Sequence, residues 1–231
     1  QLKPFCPKEK VIEMLLEADD DTQKLVDLSV KAFTEETSRE SPAPGGGTIA
    51  ACMGAMGAAL GTMVANLSAH KRGWDERWEE FSRWAEKGQA LQSRLLRLID
   101  DDTAAFNEIM AAFGMPKSND EEKALRSAAI QTATLHAAQV PLETMKTAFE
   151  AFALCKAMAE NGNPNSISDA GVGALAIRAA VRGACMNVKI NASSLKDRSL
   201  AEPLIAEADR IAEEADREEA AITSFINARL V

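Results

Sequence analysis

Several classes of function are excluded by what the sequence lacks. It has only two histidines, His70 and His136, far apart and outside any metal-ligand spacing, so no metal is expected. Its four cysteines, Cys6, Cys52, Cys155 and Cys185, are scattered, without the close pairs of a zinc site or a disulfide framework. They read as reduced thiols, and a cytoplasmic setting is expected. Basic residues are in deficit, 26 against 35 acidic ones, giving a net charge of −9. The two signs are interspersed, which argues against nucleic-acid or membrane-surface partners, since both require an extended basic field. Any anionic ligand must then meet a local basic spot. No charged leader precedes an apolar stretch, so no export signal is expected, and there is no internal repeat.

Sustained alternation of apolar and polar residues is also missing, whereas long segments carry apolar residues at helical spacing. The fold class expected is all-α, a multihelical up-and-down bundle around a central Ala/Gly-rich helix. The spacing predicts helices at 7–18, 23–38, 46–71, 76–113, 120–139, 141–160, 168–192 and 200–229. Pro141 is expected to kink or restart a helix. Gly114 with Pro116 marks a stop, Ser118 with Glu121 has capping-box spacing, and Ser168 reads as an N-cap. The stretch from Pro42 to Ala69 carries no charge. A membrane span is rejected for it because Ile49, Met53, Met56, Leu60, Met63 and Leu67 recur as in a bundle seam. Ala50, Gly54, Gly57, Gly61, Ala65 and Ser68 form a neighbouring stripe of small side chains that lets another helix approach closely. The last helix, with Leu204, Ala208, Ile211, Ala215, Ile222 and Phe225 on one side, reads as an amphipathic outer helix.

Asp102 is the most informative residue. Leu95, Leu98, Ile99, Phe106, Ile109 and Phe113 define an apolar stripe, and Asp102 falls on it where a leucine is expected. A carboxylate taken out of water is paired with a cation or has a raised pKa, and both outcomes suit an acid/base. The alternative is a structural aspartate satisfied by its partners. Asp100 and Asp101 point elsewhere, toward a solvated face, with Asp100 at the border of any cleft. A second feature is Ser41-Pro-Ala-Pro-Gly-Gly-Gly-Thr48, where Pro44, Gly45, Gly46 and Gly47 lead straight into the central helix and expose backbone N–H groups to an anion or a polar ring edge. It is neither a P-loop nor a dinucleotide fingerprint, and an ordinary helix-start turn explains it too. A third is the polar loop Asn161 to Asp169, with Ser168 and Asp169 at a helix start. Downstream, Asn187 and Asn191 share a helix face, preceded by the pair Arg178 and Arg182. Lys71 and Arg72 form a small basic spot after the central helix, or simply its C-terminal cap.

Three runs in order, SPAPGGGTIAACMGAMGAALGTMVANLSAHKRGW, LIDDDTAAFNEIMAAFGMPK and GNPNSISDAGVGALAIRAAVRGACMNVKIN, resemble the cyclodeaminase and methenyltetrahydrofolate cyclohydrolase family over about residues 25–230. The resemblance implies a helical bundle that dimerises. It also implies a site for a reduced folate with its glutamate tail, no cofactor, and fusion in bifunctional relatives to a glutamate formiminotransferase. The chain begins at Gln1, and residues 1–22 resemble the connector of such fusions. They are expected to form a linker with a short helix, ahead of a cyclodeaminase helical domain at 23–231. The family's aspartate motif lands on Asp102, with Asp100 beside it. The glycine turn lands on Gly45, Gly46 and Gly47, and the later polar motif on Ser168 and Asp169, with Asn187 and Asn191 downstream. Lys71 and Arg72 stand where the family tends to carry positive charge for folate carboxylates. The activity implied is closure of formimino-tetrahydrofolate to methenyl-tetrahydrofolate with loss of ammonia, a step of histidine degradation. The alternatives are methenyltetrahydrofolate cyclohydrolase activity and a non-catalytic helical assembly domain.

Overall fold

The computed structural model of the chain describes residues 24–41 and 43–230, and the helix expected at 7–18, like Cys6, lies outside them. Among the described residues the structure is all-helical. α1 spans Val30–Thr37, α2 Gly46–Ala69, α3 Trp78–Gly114, α4 Asp120–Asn161, α5 Ile167–Ser193 and α6 Arg198–Asn227. Single turns of 3-10 helix at Leu25–Asp27, Asp75–Arg77 and Pro164–Ser166 join or precede them. α2 is the central element and packs on α3, α4 and α5, while α6 lies outside α4 and α5.

The small stripe explains the centre. Ala50, Gly54, Gly57, Gly61, Ala65 and Ser68 are all buried. A Cβ added at Gly57 would stand 2.8 Å from the Gly173 carbonyl oxygen and 3.1 Å from the Ile177 nitrogen, so the backbones of α2 and α5 nearly touch. The stripe of large residues reverses the expectation of a buried seam. Met56, Met63 and Leu67 are 52%, 38% and 46% exposed. Close packing demands the side of the helix without bulk, and this turns Met56, Met63 and Leu67 outward, while Met53 stays packed against the core. α2 is long and apolar enough to cross a membrane, but its alanine and glycine side is sunk in the bundle.

Local signals place most boundaries. α3 stops at Gly114 as expected, and α6 buries Ala208, Ile211, Ala215 and Ile222. Four details differ. The helix expected from 23 begins only at Val30, behind Ser29, whose side chain accepts the Ala32 N–H. α4 begins behind Asn119, whose side chain accepts the Glu122 N–H, and the Glu122 carboxylate accepts the Ser118 N–H; Ser118 with Glu121 is not the box. α5 begins at Ile167, one residue before the expected cap at Ser168, because the turn Pro164–Ser166 already sets helical geometry. The two helices predicted on either side of Pro141 are one helix of 42 residues, with the proline inside it. Proline has no N–H for the carbonyl four residues back, that of Ala137. The Asn191 amide of α5 supplies a donor there, at 2.7 Å, so the helix keeps that carbonyl satisfied through a neighbour.

Candidate functional site

The turn before α2, the middle of α3 and the last third of α5 meet at one end of the bundle. They enclose a cavity of about 160 Å³ lined by Ala43, Gly45, Gly46, Gly47, Thr48, Asp102, Thr103, Phe106, Ile109, Ala137, Asn187 and Asn191. Asp102 is the only charged group among the described residues that line it. α3 carries it on the side that buries Leu95, Leu98 and Ile99, so the spacing that singled it out in the sequence delivers it to the start of α2. There the Thr48 hydroxyl donates to Asp102 Oδ2 at 2.8 Å and also accepts the Gly45 N–H at 3.3 Å. Thr48 is fully buried, so the hydroxyl that links turn to carboxylate is shielded from water, while Gly45 and Asp102 at its two ends are half-buried.

Gly47 is required by the same arrangement. A Cβ there would fall on the Asp102 carboxylate, 2.7 Å from its Cγ, so only a glycine lets the carboxylate settle against the helix start. Burial pushes the Asp102 carboxyl above its ordinary value, and the hydrogen bonds from the Thr48 side chain and backbone pull it partly back. No cation contributes to that shift, and none of the ion pairs among the described residues includes Asp102. Asp102 is therefore a sheltered carboxyl with a raised proton affinity, not half of a closed salt bridge.

The two asparagines shape the opposite wall. Asn187 gives its amide to the Gly183 carbonyl at 3.0 Å and Asn191 to that of Ala137. Each gives one N–H to backbone, which leaves its oxygen and its second N–H with no partner among the described residues. The buried Thr103 hydroxyl also lacks a protein partner among them. The wall thus offers amide oxygens, spare amide N–H groups and a hydroxyl around a lone carboxyl, a setting suited to a polar ligand that brings both donors and acceptors.

The structure brings together Asp102, Gly45, Gly46, Gly47, Asn187 and Asn191 out of the residues expected from sequence, with Pro44 buried in the adjoining turn. It keeps the others away. Asp100 lies about 200° around α3 from Asp102, where it accepts the Leu25 N–H at 3.1 Å and pins the segment before α1. Lys71 and Arg72 follow the far end of α2, about 35 Å from Gly46 by helix rise. The Lys71 ammonium sits 4.0 Å over the Trp74 ring, a contact that accounts for it locally. Ser168 and Asp169 share that far end, where the Ser68 hydroxyl accepts the Asn163 N–H at 2.8 Å. Arg178 and Arg182 turn to Asp216 of α6, Arg178 at 2.7 Å. Thr48, Thr103, Phe106, Ile109 and Ala137 were not singled out as site residues from the sequence. For Thr48 a signal existed, a threonine one residue after a glycine run at a helix start. Ala137 carried none.

Comparison with known proteins agrees with this picture. The formiminotransferase-cyclodeaminase family profile matches residues 29–210. A methenyltetrahydrofolate cyclohydrolase of Methylorubrum extorquens is 42% identical over 187 residues, 81% of this chain and 90% of that protein. The formimidoyltransferase-cyclodeaminase of Rattus norvegicus is 33% identical across 99% of this chain, which spans 42% of the rat protein's length. The crystal structure of the formiminotetrahydrofolate cyclodeaminase of Thermotoga maritima superposes with a TM-score of 0.79 at 26% identity, covering 90% of this chain and all of that one. On the profile match and the identity to these relatives, the chain belongs to the formiminotransferase-cyclodeaminase family.

Proposed function

We propose that the chain closes formimino-tetrahydrofolate to methenyl-tetrahydrofolate and releases ammonia, with Asp102 as the proton-transfer group. The observation that carries this reading is the sheltered Asp102 carboxyl, raised in proton affinity and facing a cavity without a cation. The aryl-amine nitrogen of the folate attacks the formimino carbon on the neighbouring pteridine nitrogen, closing a five-membered ring. The proton on the attacking nitrogen leaves as the new bond forms, and the amino group gains one before it departs as ammonia. A carboxyl that both accepts and returns a proton serves the two transfers in turn. Attacking and leaving nitrogens belong to one bound molecule, so holding it in a reactive conformation supplies much of the acceleration. An amidine-like one-carbon unit carries N–H groups and positive charge, which match the Asp102 carboxyl and the amide oxygens of Asn187 and Asn191. Addition and elimination involve no redox change, so the reaction asks for no cofactor.

Asp102→Asn is expected to lower turnover by about 10²-fold or more while folate affinity changes little. Near-normal turnover in that variant would remove Asp102 from the role. A second reading, methenyltetrahydrofolate cyclohydrolase, is favoured by the 42% identity to the Methylorubrum enzyme. Assay of the purified chain with both substrates separates the two: ammonia release too slow to detect, beside rapid methenyl hydrolysis, selects the second.

The functional unit in this proposal is a cytoplasmic homodimer, working beside a formiminotransferase that makes its substrate, in histidine degradation. Support for pairing is the outward face of α2 and α5. Met56, Met63 and Leu67 join Val172, Leu175, Met186 and Ile190 there, each between 38% and 68% exposed. An apolar face of seven large side chains, with Arg182 and Lys189 at its border, is more than lone chains usually leave to water.

A further inference from the structure

We infer that Pro141, which is not among the residues lining the Asp102 cavity, is a positioning residue for the folate site, acting through the Ala137 carbonyl and Asn191.

Three observations meet. Pro141 is buried inside the unbroken α4, where a proline costs an exposed helix interior about 3 kcal/mol against alanine. Such a cost is retained where the broken backbone bond has a use. The broken bond leaves the Ala137 carbonyl without its helical donor, and the pyrrolidine ring crowds that same carbonyl outward. Finally, Asn191 of α5 donates its amide to this carbonyl at 2.7 Å, and Ala137 and Asn191 both line the Asp102 cavity.

The consequence follows from the chemistry of an amide. An asparagine on a helix rotates freely about its last bond unless one end is held. Holding the N–H end on Ala137 turns the oxygen end into a fixed acceptor on the cavity wall. Asn187 reaches the same state by another route, anchored on the carbonyl four residues back in its own helix. Asn191 instead takes its anchor from the neighbouring helix, on a carbonyl whose helical donor the proline removes, whereas the Gly183 carbonyl that anchors Asn187 is shared with a helical N–H. The inference rests on the folate reading for its ligand, but the link from Pro141 to Asn191 stands apart from it.

Pro141→Ala restores the helical N–H to Ala137, so the variant is expected to melt higher than wild type. Its affinity for 5-formyl-tetrahydrofolate, a stable reduced folate measured by titration calorimetry, is expected to fall about tenfold. Asn191→Ala is expected to lose a similar amount, and the double variant no more than Asn191→Ala alone, because both act on one atom. Hydrogen exchange of the Asn191 side-chain amide, slow in wild type and fast in Pro141→Ala, reads the link without any ligand. Unchanged affinity in Pro141→Ala, losses that add in the double variant, or equal exchange rates would each overturn the inference. Should Pro141→Ala fail to fold, Asn191→Ser, too short to reach Ala137, must lose the same affinity; wild-type binding there overturns it as well. A wild-type chain that does not bind the folate overturns the proposed function, and the exchange rates then decide this inference alone.

Discussion

Burial raises the proton affinity of Asp102, and Thr48 moderates it through its hydroxyl and its backbone N–H. The folded carboxyl keeps its proton to higher pH than it does in the unfolded chain, where about 4 is ordinary. The native state therefore binds more protons between that value and the folded one. Stability from this group is fully present in acid and is lost as pH rises through the folded pKa. The activity runs the other way: a base must be ionised, so turnover climbs over the same range. Thr48→Val keeps the shape of the side chain and removes the bond that lowers the pKa. The acid limb of the kcat profile is expected to move to higher pH, with turnover at neutral pH down about tenfold. A limb that stays in place would mean that Thr48 does not govern the ionisation of the acid. Asp102 itself was legible in the sequence, since an acid on an apolar helical stripe is a local contradiction. Its partner was not, because Thr48 lies 54 positions away and only the fold joins them.

At the scale of elements, the stripe of small residues in α2 was legible and its direction was not. Glycines at 54, 57 and 61 announce a close approach, yet periodicity alone does not say which of two adjacent stripes faces inward. The large residues were read as the seam; backbone contact with α5 put the small ones there instead. Gly57→Ala tests how tight that contact is. Alanine gains on helix propensity, but its Cβ meets the Gly173 carbonyl and Ile177 backbone, neither of which yields as a flexible side chain does. A net loss of about 1–3 kcal/mol is expected, seen as a fall in Tm of about 5 °C. A variant as stable as wild type would show that the two helices separate readily. Pro141 was misread for a related reason. Its rule is a statement about one helix, and the compensation comes from Asn191, 50 positions further on in another. The far placement of Lys71, Arg72, Ser168 and Asp169 has the same character. Their residue types suit an anion, but two helices of 24 and 27 residues carry them to the other end of the bundle.

For the whole molecule, the outward face of α2 and α5 follows from the packing inside. Once small residues take the inner side of both helices, the bulky apolar ones have no place but the surface, where Met186 and Ile190 are 68% and 67% exposed. Those two flank Asn187 and Asn191, so the apolar face runs up to the rim of the Asp102 cavity. A stable pair of subunits covers about 800 Å² on each, and seven half-exposed large side chains on adjacent helices reach that order. A second copy is the favoured occupant, because the same apolar patch on both partners closes a two-fold contact, and the bordering Arg182 and Lys189 are already paired with Asp216 and Asp209 of their own chain. Light scattering is expected to give twice the chain mass at micromolar concentration. Met186→Glu is expected to halve that mass with helical content intact, since a carboxylate in an apolar contact is costly while the same residue facing water is almost neutral. If wild type already runs as a single chain, the face is solvent-exposed in use and the proposed dimer falls. If Met186→Glu remains paired, the subunits meet elsewhere, away from the cavity rim.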